Sequence, residues 1–441
     1  MTDTAHAARR IGPLLATVLV AGSMIGSGVF LLPVSLAAIG SSTIIGWVIC
    51  LGGALVIAGT FAVLGATRPD PDGLVNWPAK GVHPAAGFVS WVAYWCANWI
   101  GNAAIGLAAV GYLASLFPPL KTQIGSLIAL VAIIWILIGL CLLGARWVTR
   151  FGGLTLLFGL LPILLTIVLG LAAFSPEIFA ASWNVTGKPL AQTISPSLAV
   201  IFFAFLGLEC ANMAAAVVDN PKRNVPIAAL GGVALAGLIY MAASVAVMGV
   251  MPAADLAKST APFADAVRQL AGPWLAGAVA VCAALKACGT LAGLNLVTSE
   301  VARSGAAAGY LPRFMSESDP DVLPRRGLIV LGVMMTLVAL ATLSPTLNAQ
   351  FIFLVNISVF LVLAVYTLRA LSVVLDGKQR PGARLLATAA IAFCLWVAAT
   401  AGLQNTGPSL IILAACLPVY AVIVLARRMR TGTGKAVPRD S

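Results

Sequence analysis

The chain has 441 residues, of which only 26 are Lys or Arg and 14 Asp or Glu, with 61% hydrophobic residues and a mean hydropathy of +1.03. A soluble chain of this length carries roughly a quarter charged residues, so there is too little polar material to cover a water-facing fold and most of the surface must face lipid. Only two histidines occur, His6 and His83, both in polar stretches, so imidazole-based chemistry has no ligand set and neither a metal nor a cofactor is expected.

A bilayer core about 30 Å thick needs about 20 mostly apolar residues per helix. In chain order such runs fall near 11–38, 41–66, 85–116, 122–143, 153–174, 196–218, 226–250, 273–302, 327–343, 350–373, 385–402 and 408–426. The expectation is an all-α polytopic membrane protein of 12 transmembrane helices, one transmembrane domain over 1–426 with a basic tail at 427–441. The first run is long and follows only Arg9-Arg10, so no cleavable signal peptide is expected. Every cysteine, Cys210 and Cys288 among them, sits in an apolar run, where it reads as a small buried hydrophobe.

Two runs are interrupted. The first contains Gly22-Ser23-Met24-Ile25-Gly26-Ser27-Gly28, and the sixth contains Phe205-Leu206-Gly207-Leu208-Glu209 at a comparable depth. Glycine disfavours continuous helix, although small residues also serve close helix packing. Spans one and six are five helices apart, and interruptions at corresponding places in two halves of a chain point to a transporter's midplane site. Freed N–H groups at such a break can hold a carboxylate and freed carbonyls an ammonium, which together suit an α-amino acid.

The charges sort by side. Arg9, Arg10, Arg68, Lys80, Arg146, Arg150, Lys222, Arg223, Arg303, Arg313, Arg325, Arg326, Arg369, Lys378, Arg380, Arg384 and the basic tail fall on alternate connections beginning with the N-terminus. The opposite side holds only Lys121, Lys188, Lys258 and Arg268. Basic residues accumulate in cytoplasmic loops, so both termini are expected in the cytoplasm; the net charge of +12 marks topology and contact with membrane lipid, not nucleic acid. Glu300 lies near a helix end and can reach the interface. Glu209 and Lys286 cannot, and an ionised group at that depth costs several kcal/mol unless it is paired or wet. Each is therefore a candidate functional group, with a structural pairing, to each other or to backbone, the plainer alternative.

Three blocks carry a resemblance: Gly26-Ser27-Gly28-Val29-Phe30-Leu31-Leu32-Pro33, Trp99-Ile100-Gly101-Asn102, and Asn220-Pro221-Lys222-Arg223-Asn224-Val225-Pro226-Ile227-Ala228 after Gly207-Leu208-Glu209. In this order and spacing the chain resembles the amino acid/polyamine/organocation superfamily, and within it the bacterial basic amino acid/polyamine antiporters, most closely those exchanging arginine for agmatine. The resemblance implies an inner-membrane exchanger for a cationic amino acid and its decarboxylated amine, associated with acid resistance, and allows a homodimer. It also implies two inverted five-helix repeats, here about 11–174 and 196–373, followed by two further helices at 385–426.

Carried over by position, Ser27 and the Gly28 N–H resemble carboxylate contacts, and the carbonyls of Met24, Phe203 and Leu206 those for the α-amino group. Ala97, Asn98, Asn102 and Ser358 fall where the family lines the distal part of the pocket. Tyr94, Glu209 and Tyr366 match a cytoplasmic gate whose acid is implicated in pH sensing. The chain departs from the pattern in having Phe203 and Leu294 where the arginine exchangers have tryptophans, Asn98 where a less polar side chain is usual, and Leu74-Val75-Asn76-Trp77 after the second helix. Lys286 is a further departure and a candidate proton site.

The closest alternative to exchange is a proton-coupled transporter of amino acids or polyamines, using Lys286 or Glu209 as proton carrier. An intramembrane hydrolase built on Ser27 fails on inventory, because no span holds a histidine or aspartate to serve as its base. No ring of like charges or repeated filter sequence suggests a channel.

Overall fold

The computed structural model describes residues 12–26, 28–67, 70, 73–209, 218–315 and 323–432. Among the sequence expectations, Ser27, Cys210, Arg9, Arg10, Arg68 and the end of the basic tail lie outside the described residues.

The described chain is helical. In order it forms α1 (Pro13–Met24), α2 (Leu32–Ala37), α3 (Thr43–Thr67), α4 (Gly73–Gly81), α5 (Pro84–Leu116), α6 (Gln123–Leu142) and α7 (Ala145–Ala172). Then follow α8 (Pro176–Ala181), α9 (Leu190–Phe202), α10 (Pro221–Val250), α11 (Ala253–Leu256), α12 (Pro262–Ala271) and α13 (Pro273–Ala307). The remainder is α14 (Arg325–Ala341), α15 (Leu347–Val374), α16 (Pro381–Thr400) and α17 (Leu403–Gly432). Among the described residues nine helices are long and apolar enough to cross a membrane, and Pro13–Met24 and Leu190–Phe205 are shorter apolar segments. With exposed Leu, Ile and Trp side chains spread along the outer helices, the chain is a polytopic membrane protein.

The helix starts follow local chemistry. Proline opens α5, α10, α12, α13 and α16, a position where its missing N–H would have had no intrahelical partner. Thr122 and Thr346 cap α6 and α15 through hydroxyls that accept from Gly125 and Ala349 N–H. Several helices extend past the apolar runs into the interface: α7 begins at Ala145, so Arg146 and Arg150 lie in its opening turns, and α13 continues to Ala307. Glu300 behaves as expected for a helix end, exposed and paired with Arg303 at 2.6 Å.

Helices α5, α13 and α15 cross the centre, with α13 packed on α5 and α7 and α15 packed on α5. Both interruptions face this centre. After Met24 the backbone leaves the helix through Ile25, whose ψ is 73°, and resumes as a 3-10 turn at Gly28–Phe30. After Phe202 a 3-10 turn at Phe203–Phe205 leads to Leu206 in extended geometry and Gly207 at φ +95°, a conformation that only glycine adopts without strain. The two breaks touch: a Cβ on Gly28 would lie 3.1 Å from the Phe203 ring.

Candidate functional site

A cavity of about 770 Å3 opens where the two breaks meet α5, α13 and α15. Its wall includes Met24, Gly28, Ala97, Asn98, Asn102, Phe203, Leu206, Leu294 and Ser358, so the structure gathers every described substrate-binding candidate around one space. Tyr94, Glu209 and Lys286 border it as well, whereas Tyr366 does not line it and reaches it only through Glu209.

The polar groups on this wall are mostly engaged with one another. The Met24 carbonyl accepts from Gly26 N–H at 2.6 Å and from the Tyr240 hydroxyl at 2.6 Å, which uses both of its lone pairs. The Phe203 carbonyl closes a turn with Leu206 N–H at 3.2 Å. An ammonium taken up by the Met24 carbonyl must therefore displace an existing donor, whereas the Phe203 carbonyl can accept one beside Leu206 N–H. On the distal side Ser358 donates to the Ala97 carbonyl at 2.8 Å and Asn98 to the Tyr94 carbonyl at 2.8 Å. Asn102 donates to Asn295 at 3.1 Å and to Thr298 at 3.3 Å.

Two polar atoms at or beside the wall, Asn295 Nδ2 and Thr290 Oγ1, are buried and lack a partner among the described residues. A buried polar atom left unmade costs about 1–3 kcal/mol, so such atoms mark where a ligand or water is accommodated. Asn295, Thr298 and Thr290 were not singled out as site residues from the sequence. The signal was there: Lys286, Thr290, Leu294 and Thr298 recur every four residues, which puts them on one face of α13.

Phe203 supplies a ring, held edge-on by Phe351 at 5.9 Å between centroids. Leu294 supplies aliphatic surface and no plane on which a guanidinium could stack.

Glu209 is held at both oxygens: Tyr94 donates to Oε1 at 3.0 Å and the Tyr366 hydroxyl donates to Oε2. This joins α5, the second break and α15 through one carboxylate. Glu209 and Lys286 do not form the structural pair that was the plainer alternative for both. Lys286 has no ion pair or hydrogen bond among the described residues, although it is buried. Its stem occupies the space left by Gly159 on α7, where a Cβ would lie 2.3 Å from Lys286 Cγ.

One charge was misassigned from sequence. Arg369, counted with the cytoplasmic surface cations, is a buried residue of α15, only 3% exposed, one turn beyond Tyr366. Among the described residues no group of three or more His, Cys, Asp or Glu side chains is arranged to hold a metal ion.

Comparison with known proteins matches residues 11–428 to the amino acid permease family. The cadaverine/lysine antiporter of Escherichia coli (strain K12) is 36% identical over 342 residues, which cover 78% of this chain and 76% of that protein. The putrescine transporter PotE of the same organism is 31% identical over 369 residues, 84% of each chain. PotE of Haemophilus influenzae is 30% identical over 386 residues, covering 87% of this chain and 89% of that one.

Proposed function

This chain belongs to the amino acid permease family and, within it, to the basic amino acid/polyamine antiporters, and on that premise we propose that it exchanges a cationic amino acid for the corresponding decarboxylated amine by alternating access around its two broken helices. The observation that carries this reading is the cavity of about 770 Å3 between the breaks, large enough for an extended amino acid and bordered by a carboxylate hydrogen-bonded at both oxygens. In that scheme Gly28 N–H and Ser27 receive the carboxylate. The carbonyls of Met24, Phe203 and Leu206 receive the α-amino group, at Met24 by displacing one of its two present donors. Asn98, Asn102 and Ser358 face the distal cation, with Ala97 and Leu294 along its alkyl chain.

For the substrate pair we favour a primary alkylammonium, lysine and cadaverine, over arginine and agmatine. Leu294 leaves a guanidinium without a stacking plane, whereas an ammonium is satisfied by point contacts with amide and hydroxyl oxygens. The E. coli relative whose name is cadaverine/lysine antiporter agrees with this preference. Arginine and agmatine remain the alternative pair that the resemblance implies.

The architecture that goes with this function is 12 helices, the first ten as two inverted repeats, in a bacterial inner membrane with both termini cytoplasmic. The nine long helices, the two shorter segments at the breaks and the 17-residue α14 support that number. Gly207 at φ +95° and the non-helical Ile25 support paired interruptions.

The test is counterflow. Purified protein in vesicles loaded with unlabelled lysine, cadaverine, arginine, agmatine or putrescine should take up labelled lysine only when a cationic substrate is inside. Equal uptake into empty vesicles would refute exchange, and failure of all five would refute the substrate class. One observation favours a second reading, proton-coupled uptake. Lys286 borders the cavity as a buried amine without a partner among the described residues, as a proton carrier would.

A further inference from the structure

A buried charge lies behind the Glu209 cluster. The Arg369 guanidinium is stacked 3.9 Å from the centroid of the Phe61 ring and 4.8 Å from that of Trp77, and its Nε and Nη1 are buried without a hydrogen-bond partner among the described residues. Two aromatic faces offset part of the cost of removing a guanidinium from water but leave its donors unmet. Arg369 makes no ion pair with a carboxylate among the described residues. The titratable groups that act on its charge are Glu209, Tyr366 on its own helix and Tyr94 on α5. On the neighbouring α4, Lys80 is turned to Asp70 at 3.5 Å.

The clamp and the Glu209 cluster share a wall. Phe61 on α3 receives Arg369 on its face and meets the Tyr366 ring edge-on at 5.0 Å, while Tyr366 donates to Glu209. Tyr366 and Arg369 stand one turn apart on α15. Trp77, the other face of the clamp, belongs to α4. Asn76, beside it, donates to both carboxylate oxygens of Asp70 at 3.0 Å, which anchors that segment.

We propose that Arg369 is a positioning residue of the gate: a fixed buried cation that balances the Glu209 carboxylate, so that Glu209 holds Tyr94 and Tyr366 and does not capture the cationic cargo passing it. Without that balance Glu209 would be an anion without a countercharge on the path of a positively charged substrate. This consequence for transport rests on the cationic substrate class proposed above, whereas the charge balance itself does not.

The experiment is a charge cycle on the full-length protein: Arg369→Met, Arg369→Lys, Glu209→Gln, and Arg369→Met with Glu209→Gln. Melting temperatures in detergent read the balance without any substrate. Arg369→Met should lower the transition, and adding Glu209→Gln should restore most of the loss, since the two changes act on one charge pair. Cadaverine and lysine counterflow reads the gate. Arg369→Met should lower kcat by about tenfold or more and also lower KM, because cargo is held at Glu209, while the double variant returns to within about threefold of Glu209→Gln alone.

Arg369→Lys, which keeps the charge and loses the planar fork, should stay within about threefold of the parent. Additive losses in both readouts would overturn the proposal and leave the clamp as packing alone. If Arg369→Met does not fold, folding of the double variant supports the proposal and its failure overturns it. A parent without counterflow for any cationic substrate refutes the functional reading, and the melting cycle still decides the charge balance.

Discussion

The stem of Lys286 lies against the bare backbone of Gly159, close enough that an added Cβ would fall 2.3 Å from Lys286 Cγ and 2.4 Å from its Cδ. The glycine on α7 is therefore what lets a long cationic side chain sit inside the bundle beside the cavity. Gly159→Ala should overpack this contact and destabilise the protein by about 1–3 kcal/mol. Combining it with Lys286→Ala should relieve that loss, because the two sites are in contact and their effects cannot be independent. Thermal unfolding of the purified variants checks this, and an unrelieved loss in the double variant would show that the crowding lies elsewhere.

Glu209 accepts from both Tyr94 and Tyr366. Glu209→Ala should flatten the pH dependence of exchange, since it removes the carboxylate that joins three segments, while leaving substrate affinity within about threefold because the binding contacts lie on other residues. Exchange rates and binding measured across the pH range test both halves. A pH profile that keeps its shape would remove Glu209 from the assigned role.

The apolar runs were legible because lipid leaves a 20-residue signature, and the breaks because Gly22, Gly26, Gly28 and Gly207 fall where continuous helix is expected. What the sequence could not convey was partnership. Met24 reads as a free carbonyl at a break, yet Tyr240, more than two hundred residues away, occupies it. Arg369 reads as an interfacial cation because it stands near the end of an apolar run; only the packing of Phe61 and Trp77 around it reveals a buried one. Leu294 was visible as a departure from a pattern, but the contact of the adjacent Asn295 with Asn102 depends on the crossing of α5 and α13.

Leu294 borders the cavity where an aromatic platform would face the substrate's distal group. Leu294→Trp should raise affinity for arginine by about 0.5–2 kcal/mol, or roughly 2- to 30-fold, since a planar cation gains a stacking face. Lysine should gain less, because a hydrated ammonium makes poorer use of the plane. Competition of unlabelled arginine and lysine against labelled substrate measures the difference. No gain for arginine would mean that the cavity does not direct the distal cation toward α13.

Lys286 separates the two transport readings. It borders the cavity, is buried and has no ion pair among the described residues, so its removal takes away a charge without leaving a partner behind. For an exchanger, Lys286→Met should retain counterflow within about tenfold of the parent, and both proteins should fail to accumulate substrate in empty vesicles under an inward proton gradient. For a proton-coupled carrier the parent should accumulate substrate in those vesicles, and the variant should lose the response to the gradient while still equilibrating label. Because one side of this comparison requires internal substrate and the other requires a pH difference, a single set of vesicles with each condition imposed in turn decides between them. Gradient-driven uptake that Lys286→Met abolishes would replace exchange as the function of this chain.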